Sequence, residues 1–305
     1  GKNHHEDFRY FTNGEHPVVT KVKINNRIIN IGTVICEDMW FADHERDIVH
    51  ETALNNADLI VSINQSYFYY GKQNIRRSIC SNHALKNNIP FLSCNNVGVG
   101  DAGAKNMIIY DGGSMIVNND GKIIKEAKRF EEDFLIVDFN EEIIEESLKP
   151  YNKFEEIYNA IIYAQKEIFN DLGFKKALVC VSGGLDSSVT LPIVVEAMGS
   201  ENVYALSMPS KFNSDLTKSN AQKLCDTLGV KLYWESLENI QIEFIEAHEK
   251  TFGEGSVVPL NISTFDAVGR TVAGIAASQH LNAGLVSTSN HTEIVLNWFS
   301  WHDIS

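Results

Sequence analysis

The segment that most constrains the fold of this chain is an apolar strand that runs directly into a glycine-rich turn and then into a helix. Leu178–Val181 is typical of a buried strand, and Ser182–Ser188 follows it as Ser-Gly-Gly-Leu-Asp-Ser-Ser. Gly183 and Gly184 allow the backbone to come close to an anion, and the N–H groups at the helix start direct partial positive charge at it. The turn therefore predicts a phosphate-binding loop.

Polar side chains indicate what this loop binds. Ser182, Ser187 and Ser188 add hydroxyl donors, whereas Asp186 would repel a phosphate unless a divalent cation lay between them. We therefore expect a nucleotide and Mg²⁺ here, although an ordinary strand-to-helix turn could also contain two glycines and a serine. Neither Gly-x-x-x-x-Gly-Lys-Ser/Thr nor Gly-x-Gly-x-x-Gly occurs, which removes the main support for a kinase or a dehydrogenase.

Composition excludes several other classes of protein. The 305 residues, 44% of them hydrophobic, are enough for two globular domains. The net charge of −14 argues against a nucleic-acid or anionic-membrane partner. No apolar run approaches the roughly 20 residues of a membrane span, and no secretory pattern opens the chain, so we expect a cytoplasmic protein. The cysteines have no metal-binding spacing, and we expect four of them to be core residues: Cys80, Cys94, Cys180 and Cys225.

The pattern over residues 1–140 predicts a mixed α/β domain, because short apolar runs alternate with Gly, Asn and Asp. The expected strands are 18–24, 30–35, 58–63, 91–95, 107–110, 114–117 and 134–138, and the expected helices are 45–55 and 72–87. Asn118–Gly121 predicts a hairpin turn, since its residues tolerate positive φ.

Residues 141–305 predict a doubly wound parallel sheet, because strands alternate with helices. The expected strands are 177–181, 203–208, 231–234 and 283–287, and the expected helices are 154–172, 188–198, 216–228, 240–251 and 265–281. Ligands of such sheets bind at the carboxyl ends of the strands, where Ser182–Ser188 lies. Met208 ends the next strand, where it would either pack on adenine or join the core. Both halves look cut at their outer ends, and we expect a larger parent protein.

A second candidate site lies in the first half, where Ile35–Trp40 reads Ile-Cys-Glu-Asp-Met-Trp. Cys36 ends an apolar strand and is followed at once by two acids, whose charge disfavours a thiolate. A nucleophilic Cys36 therefore needs a cation or a general base from elsewhere in the fold.

This turn resembles the nucleophile turn of the nitrilase, or carbon-nitrogen hydrolase, family, and especially its glutamine amidase branch. Further stretches follow the family's order: Ala57–Ser66, Gly71–Arg77, Asn95–Gly98 and Asp111–Ser114. The resemblance implies a nitrilase-like αββα layered domain over residues 1–140, whose first part is missing. It implies glutamine as substrate and a Glu-Lys-Cys triad, of which only the nucleophile, Cys36, is matched. Ser66 and Glu37 are candidate substrate contacts, although Glu37 has an equally plausible structural role.

The loop at Ser182–Ser188 resembles that of the ATP pyrophosphatases, which adenylate an oxygen and release pyrophosphate. Together with Ser287–Glu293 it is similar to the NAD synthetases, which implies a domain of that fold over residues 141–305, with its last part missing. The resemblance implies that Thr288 contacts ATP, that Asp186 and Glu293 ligate Mg²⁺, and that Arg270 contacts deamido-NAD. In the NAD synthetases Gly stands at the position of Ser289.

The order of the halves resembles that of glutamine-dependent NAD synthetases. It implies amidation of deamido-NAD with ammonia from glutamine, in a homo-oligomer. Two alternatives stay open at this stage. One is another ATP-pyrophosphatase enzyme, such as an asparagine- or GMP-synthetase-like amidotransferase or a tRNA-thiolating enzyme. The other is a nucleotide-binding module without turnover. Release of pyrophosphate would separate the three.

Overall fold

The structure is a computed structural model that describes residues 12, 14–24, 26–40, 45–101, 107–139, 152–209, 215–289 and 292. Its contacts divide the chain into two compact units, residues 1–160 and 161–305. Each unit is described by itself below. The domain boundary expected at residues 140 and 141 stays a prediction.

The first unit contains a six-stranded mixed sheet and a separate strand pair. The strands are β1 (Val18–Ile24), β2 (Arg27–Ile35), β3 (Leu59–Asn64), β4 (Phe91–Asn95), β5 (Val97–Asp101), β6 (Met107–Asp111), β7 (Met115–Val117) and β8 (Ile123–Glu126). The large sheet has the order β1-β2-β3-β4-β7-β8, in which β2, β3 and β4 are parallel and the other neighbours are antiparallel. The antiparallel pair β5–β6 is the second sheet.

Two helices make the crossovers between the parallel strands of this unit. Helix α1 (Ile48–Leu54) begins where the side chain of Asp47 accepts a hydrogen bond from the backbone N–H of His50, at 3.0 Å. Helix α2 (Lys72–Asn87) ends at Asn88, which takes the left-handed conformation with φ 51°. Both helices cover one face of the sheet, where the buried core lies: Val34, Val49, Ile60, Cys80, Ala84, Phe91, Met115 and Val117. The predicted helix at 72–87 is therefore confirmed, and the one predicted at 45–55 is found over the shorter range 48–54.

The predicted hairpin at Asn118–Gly121 is confirmed, whereas the strand at 134–138 is wrong. Gly121 has φ +82°, and the turn joins β7 to β8. Residues 134–138 form irregular chain, in which the carbonyl of Ile136 accepts from the Nζ of Lys125 and Phe134 is exposed. An apolar alternation forms a strand only where a neighbouring strand supplies backbone partners.

The cysteines correct one further prediction. Cys80 and Cys225 are buried as expected, and Cys180 is half-buried, but Cys94 is exposed. The alternation along β4 explains this, because Phe91, Ser93 and Asn95 are buried and Cys94 points to the opposite face.

The second unit is built on a four-stranded parallel sheet. Its strands are β9 (Ala177–Cys180), β10 (Val203–Ser207), β11 (Lys231–Trp234) and β12 (Gly284–Val286), in the order β11-β10-β9-β12. The helices are α3 (Lys153–Asp171), in which the division between the units falls, α4 (Leu185–Met198), α5 (Asp215–Leu228), α6 (Glu238–Phe252) and α7 (Pro259–Leu281).

Helices pack on both faces of this sheet, as the doubly wound prediction requires. Along β9, Ala177 and Val179 pack with residues of α4 and α5, such as Leu191 and Ala221. Leu178, between them, points the other way and packs with residues such as Ala273 of α7. A strand buried on both faces must be apolar throughout, which explains the unbroken apolar run. No helix of the described residues is long and apolar enough to cross a bilayer.

Candidate active sites

The first candidate site is the turn that follows β2. Cys36–Met39 forms one turn of 3₁₀ helix, and Cys36 has φ +39°, a left-handed conformation that is strained for a side chain other than glycine. The carboxylate of Asp38 accepts from the backbone N–H of Ile35 at 2.8 Å, and so holds the turn closed. The thiol of Cys36 is therefore carried on a sharp bend at the end of a rigid strand.

The other end of this turn is anchored in the core. Met39 is buried, and its carbonyl lies 2.8 Å from the Nε2 of His83, whose ring stacks on Phe91. The Oγ of Ser62 lies 3.4 Å from the sulfur of Met39. The turn that contains the strained Cys36 is thus anchored at Met39. Such anchoring by the surrounding structure keeps an unfavourable backbone conformation in place.

The carboxyl ends of the three parallel strands bring further polar groups to the same sheet edge. Ser66 follows β3, and its backbone N–H donates to the Oδ1 of Asn95, at the end of β4, at 2.9 Å. The hydroxyl of Ser66 is buried and has no hydrogen-bond partner among the described residues. The fold thus places Ser66, as well as Glu37, at the edge that carries Cys36, while contact with a substrate stays a prediction.

Sequence reasoning missed the buried lysine next to this turn. Lys72, at the start of α2, is 6% exposed, and its Nζ lies 3.8 Å from the ring centroid of Tyr67, 5.0 Å from that of Tyr69 and 5.4 Å from that of Trp40. Burial and the charge of Arg76 lower the pKa of Lys72 to about 8, against smaller opposing effects from other groups. The sequence showed that a nucleophilic Cys36 needs a cation or a general base, but it did not single out Lys72.

A buried ionic network lies behind Lys72. Asp111, which is fully buried, accepts from both Arg76, at 2.5 Å, and Arg129, at 2.7 Å. Arg129 also pairs with Glu156 at 2.5 Å, and the second carboxylate oxygen of Glu156 accepts from the backbone N–H of Gly71 at 3.1 Å. The network therefore fixes the residue that precedes Lys72.

The second candidate site is the loop between β9 and α4. Gly183 has φ +81°, and a Cβ atom added there would lie 2.0 Å from the backbone oxygen of Thr217. The N–H of Gly184 donates to the Oγ of Ser182 at 3.1 Å, and the Oγ of Ser187 donates to the carbonyl of Gly184 at 3.2 Å. The loop is thus shaped by its own hydroxyl groups and needs glycine at its tightest point.

The exposed parts of this loop are those predicted to meet a ligand. Ser182 and Asp186 are exposed, Ser188 is half-buried and Ser187 is buried. Asp186 lies in the first turn of α4, whose N-terminal N–H groups favour an anion.

Only some of the other predicted site residues lie at the edge of the sheet that carries this loop. Thr288 follows β12, which pairs in parallel with β9, so it lies at the same end of the sheet as the loop. Met208 is 8% exposed and packs in the core with Leu178 and Leu237, which favours the core role over contact with adenine. Arg270 is half-buried in α7, and Glu293 lies outside the described residues. Their predicted roles stay predictions.

Comparison with known families divides the chain in the same way. The carbon-nitrogen hydrolase family matches residues 2–147, and the NAD synthase family matches residues 157–304. The chain is a carbon-nitrogen hydrolase domain followed by an NAD synthase domain. Cys36 and its turn fall in the hydrolase domain, and the Ser182–Ser188 loop falls in the NAD synthase domain.

Proteins similar to this chain over most of its length include glutamine-dependent NAD(+) synthetases. The one from Aquifex aeolicus is 27% identical over 333 residues, which cover 96% of this chain and 56% of the relative. The one from Thermotoga maritima is 29% identical over 286 residues, covering 81% and 47%. This chain thus spans about half the length of the relatives it matches.

A solved structure agrees with the fold across both domains. The glutamine-dependent NAD+ synthetase from Acinetobacter baumannii, in complex with ADP, matches with a TM-score of 0.87 and 26% identity, over 99% of this chain and 56% of that one. A second such structure, from Cytophaga hutchinsonii, has a TM-score of 0.77 at 18% identity and supports the fold alone.

Proposed function

We propose that the protein makes NAD from deamido-NAD, ATP and glutamine, with the two domains supplying ammonia and using it. The observation that carries this proposal is the match to one solved glutamine-dependent NAD+ synthetase across both domains of this chain. The expected products are NAD, AMP, pyrophosphate and glutamate.

In the first domain, Cys36 is the proposed nucleophile. Its sulfur adds to the side-chain carboxamide carbon of glutamine, the C–N bond breaks, and ammonia leaves. Water then hydrolyses the glutamyl thioester to glutamate. The position of Cys36 on a strained turn supports this role, whereas burial raises the pKa of the Cys80 thiol to about 12 and makes it inert. The unpartnered hydroxyl of Ser66 supports its role as a substrate contact, and Glu37 is a second candidate at the same edge.

In the second domain, the loop of Ser182–Ser188 is proposed to hold the phosphates of ATP. Backbone N–H groups of Gly183 and Gly184 and the Ser182, Ser187 and Ser188 hydroxyls would surround the pyrophosphate, with Thr288 at the neighbouring strand end. The nicotinate carboxylate of deamido-NAD attacks the α-phosphorus, pyrophosphate leaves, and ammonia then displaces AMP. The protein's contribution is to position the reactants and to neutralise charge. The Acinetobacter baumannii enzyme was solved in complex with ADP, which supports an adenine nucleotide as a ligand of this protein.

Mg²⁺ fits this site through Asp186. Its carboxylate is exposed in the first turn of α4, next to the loop, and Mg²⁺ is usually held by one or two carboxylates together with phosphate oxygens and water. Glu293 is the proposed second carboxylate. When bound, the ion would neutralise the charge of the leaving pyrophosphate.

Product analysis tests the proposal. The protein is incubated with glutamine, ATP, deamido-NAD and MgCl₂, and the nucleotides are separated by chromatography. NAD, AMP and pyrophosphate in equal amounts are expected. ADP in place of AMP, or nucleotide binding without any NAD, would contradict it and favour another ATP-dependent enzyme or a binding module. Assembly into a homo-oligomer and a cytoplasmic location are further proposals that this assay does not address.

A further inference from the structure

The lysine at the start of α2 is held in a way that is costly for a charged side chain. Lys72 is 6% exposed and lies among the rings of Trp40, Tyr67 and Tyr69. In the part of the chain that the structure describes, no carboxylate lies within ion-pair distance of its Nζ. Aromatic rings attract a cation but replace only part of the hydration that it loses on burial. A residue held at such a cost is a candidate for a functional role.

The ammonium of Lys72 lies beside the turn that carries Cys36. Trp40, one of the three rings around it, is the residue that ends this turn. The titratable and charged groups that act on Lys72 are Arg76, Cys36, Asp111 and Glu37. Asp111 already accepts from Arg76 and Arg129, so its charge is compensated within the ionic network. Of these groups, Cys36 and Glu37 are the two that lie on the turn.

We propose that Lys72 is a positioning residue that offsets the negative charge of Cys36 when the thiol loses its proton. This inference rests on the proposed function, in which Cys36 is the nucleophile. As the S–H bond breaks, the proton passes to a carboxylate base or to water, the electron pair stays on sulfur, and Lys72 keeps its own proton. The nearby carboxylates of Glu37 and Asp38 disfavour the thiolate, and Lys72 counters them.

The rival explanation is that Lys72 only fills space between the rings. The two explanations differ in what a neutral side chain of similar length does. Methionine fills the same volume and makes favourable contacts with aromatic rings, so a packing role would survive in Lys72→Met. A charge role would survive only in Lys72→Arg.

The test is the rate at which iodoacetamide alkylates Cys36 between pH 5 and 9, read by mass spectrometry of the Cys36 peptide. Cys94, which is exposed, serves as a reference in the same sample. At pH 7 we expect Lys72→Met to slow alkylation of Cys36 about tenfold and Lys72→Arg to restore the rate within about twofold, with Cys94 unchanged. Lys86→Met, a change at an exposed lysine that pairs with Asp47, is the matched control.

A folded Lys72→Met variant that alkylates at the wild-type rate would overturn the inference. Because alkylation needs no glutamine turnover, this result is independent of whether the protein makes NAD. If the protein makes no NAD but Lys72→Met still slows alkylation of Cys36, only the proposed function is contradicted and the inference about Lys72 stands.

If Lys72→Met does not fold, the pH dependence of glutamine hydrolysis provides the second test. Lys72 loses its charge as the pH rises through about 8, whereas an arginine keeps it. The rate of glutamate release by the wild type should therefore fall above pH 8, and Lys72→Arg should move this fall to higher pH. The same falling limb in both proteins would overturn the inference.

Discussion

The two candidate sites are held in place by different means. The Ser182–Ser188 loop is shaped by neighbouring residues, through short-range hydrogen bonds and the positive φ of Gly183. The Cys36 turn depends on residues far along the chain: His83 holds its end, and Lys72 lies beside it in front of a buried ionic network. A site built from consecutive residues can be predicted from one short sequence motif. A site whose residues are far apart in the sequence can be predicted only in part.

The largest effect is expected in the long-range network. Asp111→Ala leaves two buried arginines without their shared carboxylate, and the cost of breaking such a pair is about 3–5 kcal/mol. Chemical denaturation followed by tryptophan fluorescence should show this loss in the unfolding transition. The control is Asp120→Ala, whose exposed pair with Lys122 at 3.6 Å is worth at most about 1 kcal/mol. Equal effects of the two changes would contradict the account of the network.

The local site should respond to a single methyl group. Gly183→Ala places a Cβ atom against the backbone oxygen of Thr217, and the resulting shift of the loop should slow NAD synthesis about a hundredfold. Glutamate release by the first domain should persist. Gly173→Ala is the matched control, since Gly173 has φ +76° but nothing within 4 Å of an added Cβ atom. If both variants slowed NAD synthesis equally, backbone strain alone and not the fit of the loop would be responsible.

Lys72 should support the reactivity of Cys36 while lowering the stability of the folded protein. The pKa of Lys72 is about 8 in the folded protein, against an ordinary value of 10.5. Between pH 8 and pH 10.5 the side chain is therefore protonated in the unfolded chain and neutral in the folded one. Stability should therefore rise with pH across this window. At pH 7 we expect Lys72→Met to be about 1–2 kcal/mol more stable than the wild type, with no rise between pH 8 and 10.5. Denaturation curves at several pH values measure both, and a less stable Lys72→Met would show that the lysine is structural.

The smallest effect on stability is expected at Ser66. Its hydroxyl has no partner among the described residues, so Ser66→Ala should change the free energy of unfolding by less than about 0.5 kcal/mol. The KM for glutamine should rise about tenfold, while use of ammonium salts stays unchanged. Ser62→Ala is the control, because the hydroxyl of Ser62 donates to Asn64 at 3.0 Å and its loss should cost about 1 kcal/mol. An unchanged KM in Ser66→Ala would remove Ser66 from the substrate site.

The same contrast explains how much could be predicted from the sequence. The parallel sheet of the second unit, the loop and its glycines follow from local patterns, and the structure confirms the fold. The strand at 134–138 was wrong because a strand also needs a partner, which no local pattern supplies. Lys72 was missed because its position beside Cys36 depends on the packing of α2 against the sheet.

The measurement that tests the central claim most directly is NAD synthesis by the Cys36→Ala and Gly183→Ala variants, each supplied with glutamine or with an ammonium salt. The account predicts that Cys36→Ala loses synthesis from glutamine and keeps it from ammonium, and that Gly183→Ala loses both while still releasing glutamate. A Cys36→Ala variant that still used glutamine, or that lost ammonium as well, would contradict a division of labour between the two domains.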